Sequence, residues 1–529
     1  MPPIRMVDDP DSRDSDDQGG FDPGGPNDGG GGGGGIFGLL LLLLGLFRGR
    51  GLIGLLLILG IGYFFLSRGG CNTGSTITNQ ITRLATGGYL DPRQFEKANI
   101  YESLADDSTK NPLPEAANLQ RYAPNVGDQG HQGSCVAWSS AYAARTIEEA
   151  ARTGEDPNSL RFSPSFLYNQ IGLDNCDGSY IERAMEFMTR SGSIPYTEFP
   201  YDDHDCARQP DQQQLEEARR YRMRGFNRLT RGDRNDVIDL RAIKENISQG
   251  APIVIGMEVG GSYMQPMMGQ DVWTPTAEDR SKIGFGGHAQ CVVGYDDKKY
   301  GGAFLLMNSW GPQWGNNGFA WVRYRDFRYF VREAYGIEPM QKAGAAAAAP
   351  LTCEIGLVHD KTYIPLRLSK NNVFETVTPL KIGTRFKMEV RNSSECYIYV
   401  FGKETDGTSY TLFPYPSSTN PETTKYSPFC GITGYRLFPK DKSMTPDSIG
   451  HRDEIAVVVS ATPLNWYGLN NTLSQNPGQD YSARLNAALG DKLTRDIPFT
   501  ASAKGNMQFT IPTRYHNPIV ATIVEIDKK

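Results

Sequence analysis

The chain has 529 residues, 39% of them hydrophobic and 22% charged, a globular average at a length that excludes one compact domain. Of its 59 glycines, 20 lie in the first 70 residues, so the glycine excess belongs to the N-terminal region and the body has an ordinary composition. The net charge of -6 resides in residues 1–35, where eight Asp oppose Arg5 and Arg13. The rest is formally neutral, without the basic field that nucleic-acid binding needs.

Residues 1–35, ending in Gly29 to Gly35, are too poor in apolar side chains to offset the entropy of ordering, and are expected to be disordered. Two apolar stretches follow in 36–68, Ile36 to Phe47 and Gly51 to Leu66, separated by Arg48, Gly49 and Arg50. As helices they would measure roughly 18 Å and 24 Å against a hydrocarbon core of about 30 Å, so the second spans only if Arg50 and Arg68 snorkel. A cleaved signal peptide fits poorly, because the leader is acidic and no A-x-A-like site follows Leu66. Either one span at 51–66 or a tight hairpin with Arg48 and Arg50 at its cytoplasmic tip is predicted. Both put everything after Leu66 outside the cytoplasm on a cell-membrane anchor. Residues 69–112 read as a linker.

Among six histidines no H-E-x-x-H occurs, and neither CxxC nor GxxxxGK[ST] is present, so no metal or cofactor is predicted. Gln129-Gly130-His131-Gln132-Gly133-Ser134-Cys135 instead feeds an alanine-rich stretch without Pro or Gly until Gly154. That is a loop entering a helix with Cys135 at its start, where the helix dipole and unpaired N–H groups favour a thiolate. Downstream, Gly286-Gly287-His288 heads one apolar strand, and another ends at Asn308, before Ser309 and Trp310. Cys135 as nucleophile, His288 as base and Asn308 as the group orienting it form a catalytic set. His131, His204, His359, His451 and His516 have no partner motif and read as surface or capping residues; Cys291 reads as a buried thiol.

These motifs resemble the papain-like cysteine peptidases from about Leu113 to Tyr335. The resemblance implies an α+β, two-lobed domain over 113–339, a helical lobe plus a β-barrel lobe, that hydrolyses peptide bonds. It implies an oxyanion-hole role for Gln129, substrate-cleft walls at Gly178, Ser179 and Gly287, and shielding of the His288–Asn308 hydrogen bond by Trp310. Val136, Gln132 and Ser179 depart from the family pattern. Ser179 stands where the family has glycine, and its Cβ is expected to narrow the cleft floor. Gln132 stands where the family has a cysteine, so Cys176 is expected to form a non-standard disulfide with Cys206, near another bridging position of the family. The family's inhibitory propeptide is longer than 69–112, which implies either constitutive activity or a cleft covered by some other segment.

Residues 340–350 form an Ala-rich linker, and 351–529 show short alternating strands, predicting a β-sandwich-like domain with a helix near Tyr481 to Leu489. Tyr397 to Pro414 resembles a bacterial module of unknown function, a likeness that carries no activity; because no motif pairs His359, His451 or His516 with Cys353, Cys396 or Cys430, the domain is predicted to be a binding module. The expected partners are a protein or peptide substrate, the membrane through 36–68, and a binding partner for 351–529. Two other readings stand beside the peptidase: a Cys-His amidase or transglutaminase-type acyl transferase, and a catalytically silent papain-like scaffold.

Overall fold

Helix-forming alanines gather in one element at the heart of the first lobe. Cys135–Ala137 opens it, a π-helical run Trp138–Arg145 continues it, and Thr146–Thr153 completes it up to Gly154, whose φ of 77° ends the helix. Ala137, Ala141, Ala143 and Ala144 are all buried, their small side chains letting other elements close around this helix. Helix Pro164–Ile171 packs beside it, started by Pro164 in its first turn and by Ser163 Oγ accepting from Phe166 N. Helix Ile181–Arg190 completes the lobe.

The second lobe is an eight-stranded sheet. Its order is Phe226–Arg228, Val331–Ile337, Ile253–Val259, Gly286–Asp296, Ala303–Met307, Phe319–Arg323 and Val272–Trp273, with Ala116–Asn118 added to the central Gly286–Asp296 strand. One apolar cluster joins both lobes, from Ala141 and Met185 to Val254, Val292 and Leu306.

This computed structural model describes residues 4–8, 87–231, 237–340 and 350–529, all within one of the chain's two units. The predicted membrane segment 36–68 and most of the Ala-rich linker lie outside the described residues. Among the described residues no helix is long and apolar enough to cross a membrane.

Two sheets make up 351–529. One runs Gly434–Phe438, Lys387–Asn392, Leu351–His359, Met507–Ile511 and Phe499–Ala501. The other runs Leu366–Lys370, Val373–Thr376, Ile519–Asp527, Arg452–Ser460, Cys396–Lys403 and Ser409–Phe413. Strand Cys396–Lys403 shows why they face each other: Ile398 and Val400 join the cluster between the sheets, while Tyr399 and Phe401 turn to the opposite face. Helices Trp466–Leu473 and Tyr481–Leu489 cover that opposite face with Leu469, Leu473 and Leu485.

Two expectations change. Within the tail expected to be disordered, Ile4–Asp8 forms a strand, antiparallel to Lys442–Pro446. Ile4, Met6 and Val7 favour strand, and Lys442–Pro446 pairs with them in a two-stranded sheet. The expected linker is ordered from residue 87 onward: Asp91 caps the short helix Pro92–Phe95, and Phe95, Ala98, Ile100, Tyr101 and Leu104 are buried.

Candidate active site

The loop ahead of the nucleophile is fixed from both sides. Asp128 Oδ1 accepts from Gly130 N at 2.9 Å, while Gly130 itself adopts φ 60°, a turn that glycine makes without strain. Gln129 is wholly buried; its N–H donates to Ser309 O (2.8 Å), its Oε1 accepts from Ser309 Oγ (2.7 Å), and its Nε2 donates to Gln132 O (2.9 Å). The amide therefore has one orientation and keeps its second N–H uncommitted.

Cys135 begins the helix and is buried, with Ala289 N donating to its Sγ at 3.4 Å. His288, on strand Gly286–Asp296, pairs through Nε2 with Asn308 Oδ1 at 2.7 Å. Asn308 Oδ1 also accepts from Ser309 N (2.8 Å), so the amide oxygen faces the ring and Nε2 must carry the proton. His288 Nδ1 is thereby left as the basic nitrogen, buried and without a hydrogen-bond partner. Trp310 stacks on the imidazole at 4.3 Å between centroids and 21° between planes.

Burial dominates the electrostatics. It pushes the Cys135 thiol up to about 12, against the pull of backbone N–H groups, and holds the His288 imidazole down to about 4, against the opposite pull of Asn308. In this covered state desolvation therefore opposes the expected thiolate and outweighs the backbone N–H groups that favour it.

Residues 87–90 lie over the cleft. Ser179 N donates to Gly87 O (3.0 Å), Tyr89 N to Ser179 O (3.0 Å) and Gly88 N to Gly287 O (3.1 Å), so an extended strap lies along the cleft. A Cβ on Gly87 would stand 2.8 Å from Cys135 Sγ and 2.7 Å from Gly133 O; one on Gly287 would stand 1.8 Å from Gly88 O. Only glycine permits this approach. Leu90 reaches toward Gly256, where its Cδ2 and the buried Glu333 carboxylate would both touch an added Cβ. Tyr89 OH donates to Asp177 at 2.8 Å.

The structure thus brings Gln129, Cys135, His288, Asn308 and Trp310 together, and lines the cleft with Gly178, Ser179 and Gly287. Ser179 Oγ turns back to donate to Ile171 O (3.0 Å), while its backbone serves the strap. Cys176 and Cys206 are joined in a disulfide with Cα atoms 6.0 Å apart. Cys291 is a buried free thiol, as are Cys353, Cys396 and Cys430. Sequence reasoning missed the strap. Its one signal was the Gly87-Gly88 pair, hidden among so many N-terminal glycines.

Residues 113–342 match the family model described as papain family cysteine protease, the family the motifs resemble. Cathepsin K of Gallus gallus is 26% identical over 250 residues, covering 46% of this chain and 69% of that protein. An uncharacterized peptidase C1-like protein of Acanthamoeba polyphaga mimivirus is 30% identical over 209 residues, covering 37% of this chain and 64% of its own. Among solved structures, xylellain, a cysteine protease from Xylella fastidiosa, is 23% identical with a TM-score of 0.39, covering 49% of this chain and 97% of that one.

Proposed function

We propose that the protein is a latent cysteine endopeptidase. The observation that carries this reading is the strap itself: the cleft holds an extended peptide by its backbone at Ser179 and Gly287, against Cys135. In the open cleft, His288 Nδ1 takes the Cys135 proton and the thiolate attacks a peptide carbonyl carbon. The second Nε2–H of Gln129 and the Cys135 backbone N–H hold the resulting oxyanion. The imidazolium then protonates the leaving amine, and water releases the acyl group by the reverse proton path. Gly87 O accepts from Ser179 N on the cleft wall, while the Gln129 amide donates to Gln132 O.

The test is active-site labelling with an epoxysuccinyl peptide before and after excision of residues 87–90 by limited proteolysis. Stoichiometric labelling at Cys135 and turnover of a peptide library should appear after excision. An excised, folded protein that neither labels nor cleaves would overturn the assignment.

The same reading places the enzyme outside the cytoplasm, anchored by 36–68. The hairpin form of that anchor is supported by the pairing of Ile4–Asp8 with Lys442–Pro446, which needs the tail and the body on one side of the membrane.

A further inference from the structure

The strap is an intramolecular ligand with three backbone hydrogen bonds, and its occupancy depends on how firmly the following chain holds it near the cleft. That following chain is residues 99–111, which lies between the peptidase and the C-terminal domain and is bonded to both. Toward the peptidase, Tyr101 N donates to Arg228 O (2.9 Å), Arg228 N to Asn99 O (2.8 Å), and Leu104 N and Tyr101 OH to Glu245 Oε2 (3.1 and 3.2 Å).

Toward the C-terminal domain, Ile100 N donates to Lys425 O (2.5 Å), Ser427 N to Ile100 O (3.0 Å) and Ala105 N to Tyr435 O (2.8 Å). Arg436, fully buried, donates from Nε to Glu102 O at 2.9 Å. Its other nitrogens donate to Asn392 Oδ1 and Ile432 O, within its own domain. Asn111 brackets Tyr435, accepting from its N and donating to its O, each at 2.9 Å. Lys110 forms an ion pair with the buried Glu389. Undocking the segment would leave the Arg436 Nε–H buried without its acceptor, so the domain's own interior favours the docked form.

Resting on the peptidase reading above, we propose that the C-terminal domain is the latch of the latent enzyme: by gripping residues 99–111 it keeps Gly87–Leu90 in the cleft. The domain then has a function other than substrate binding. Whatever loosens its hold on Glu102, Lys110 and Asn111 lowers the effective concentration of the strap at Cys135 and opens the site.

The full chain carrying Lys110→Ala with Asn111→Ala tests this, with Glu389→Gln as a milder change made from the domain side. The expected result is epoxysuccinyl labelling of Cys135 about tenfold faster, the scale of losing one or two net hydrogen bonds. In the Cys135→Ala background, the Gly88 and Tyr89 amides should exchange faster while strand Arg452–Ser460 keeps its protection. Unchanged exchange at Gly88 and Tyr89 in a protein whose unfolding midpoint has dropped would overturn the latch, since the contacts would then be structural only. Amide exchange decides the latch without catalysis; faster exchange without labelling would instead count against the peptidase reading and leave the latch supported.

Discussion

His288 is caught between two neighbours of opposite effect, and the balance tells what the strap does. Burial disfavours its charged form, the Asn308 hydrogen bond favours it, and burial wins, bringing the imidazole down to about 4 from an ordinary 6.5. Because the closed form binds fewer protons than the open one between these values, closure weakens as pH falls from 6.5 toward about 4. An NMR titration of the His288 ring in Cys135→Ala protein should give a low pKa with the strap in place. Excision of the strap should return it toward 6.5; no movement on excision would show that the lobes, not the strap, exclude water. In activated enzyme the side chains differ in weight. Cys135→Ala should abolish turnover and His288→Ala should come close, since His288 serves as both base and acid. Gln129→Ala should lose roughly 10²- to 10³-fold in turnover, the scale for one oxyanion donor. Asn308→Ala should be mildest because Trp310 still confines the ring. Single-turnover kinetics of the four folded variants checks the order, and a His288→Ala that outperformed Asn308→Ala would remove the assigned base. All four positions were legible in the sequence as motifs. Their covered state was not, because residues 87–90, which lie along the cleft, are remote in sequence and without a motif.

The strap works as an element because backbone meets backbone without intervening side chains. At Gly87 an added methyl would strike Gly133 O at 2.7 Å and Cys135 Sγ at 2.8 Å, and the Gly133 carbonyl cannot swing aside as a flexible side-chain tip would. Gly87→Ala should therefore push the strap out while leaving the lobes intact. The expected outcome is epoxysuccinyl labelling of Cys135 well above the wild-type rate with an unchanged unfolding midpoint. A variant that stays as slow to label as wild type would show that the strap tolerates a side chain and does not gate the site. Elements with strong local patterns were legible: the nucleophile helix and helix Tyr481–Leu489 lie where the sequence placed them. Helix Trp466–Leu473 was not, since Gly468 and its asparagines are weak helix formers. It forms because Asn465 Oδ1 caps Gly468 N at 2.9 Å and because Leu469 and Leu473 find a sheet face to bury against. The segment 99–111 was likewise illegible, for its hydrogen bonds go to two domains whose juxtaposition no local pattern encodes.

At the scale of the whole molecule, the strand at the extreme N-terminus constrains the path of everything between it and the body. Ile4 pairs with Pro446 and Asp8 with Lys442, so this strand is tied to the C-terminal domain. A single span at 51–66 would put those two partners on opposite sides of the bilayer, and the pairing could not form within one chain. A hairpin turning at Arg48 and Arg50 keeps both partners on the outer face and leaves the positive charges inside. Its two stretches, roughly 18 and 24 Å as helices, are each shorter than the hydrocarbon core of about 30 Å, so a hairpin requires local thinning of the bilayer and snorkelling by Arg48 and Arg50. With epitopes placed before Ile4 and after Lys529, protease added to intact spheroplasts should remove both. Loss of the C-terminal epitope with survival of the N-terminal one would establish the single span and dissolve the pairing. Survival of both would remove the outward placement of the enzyme altogether.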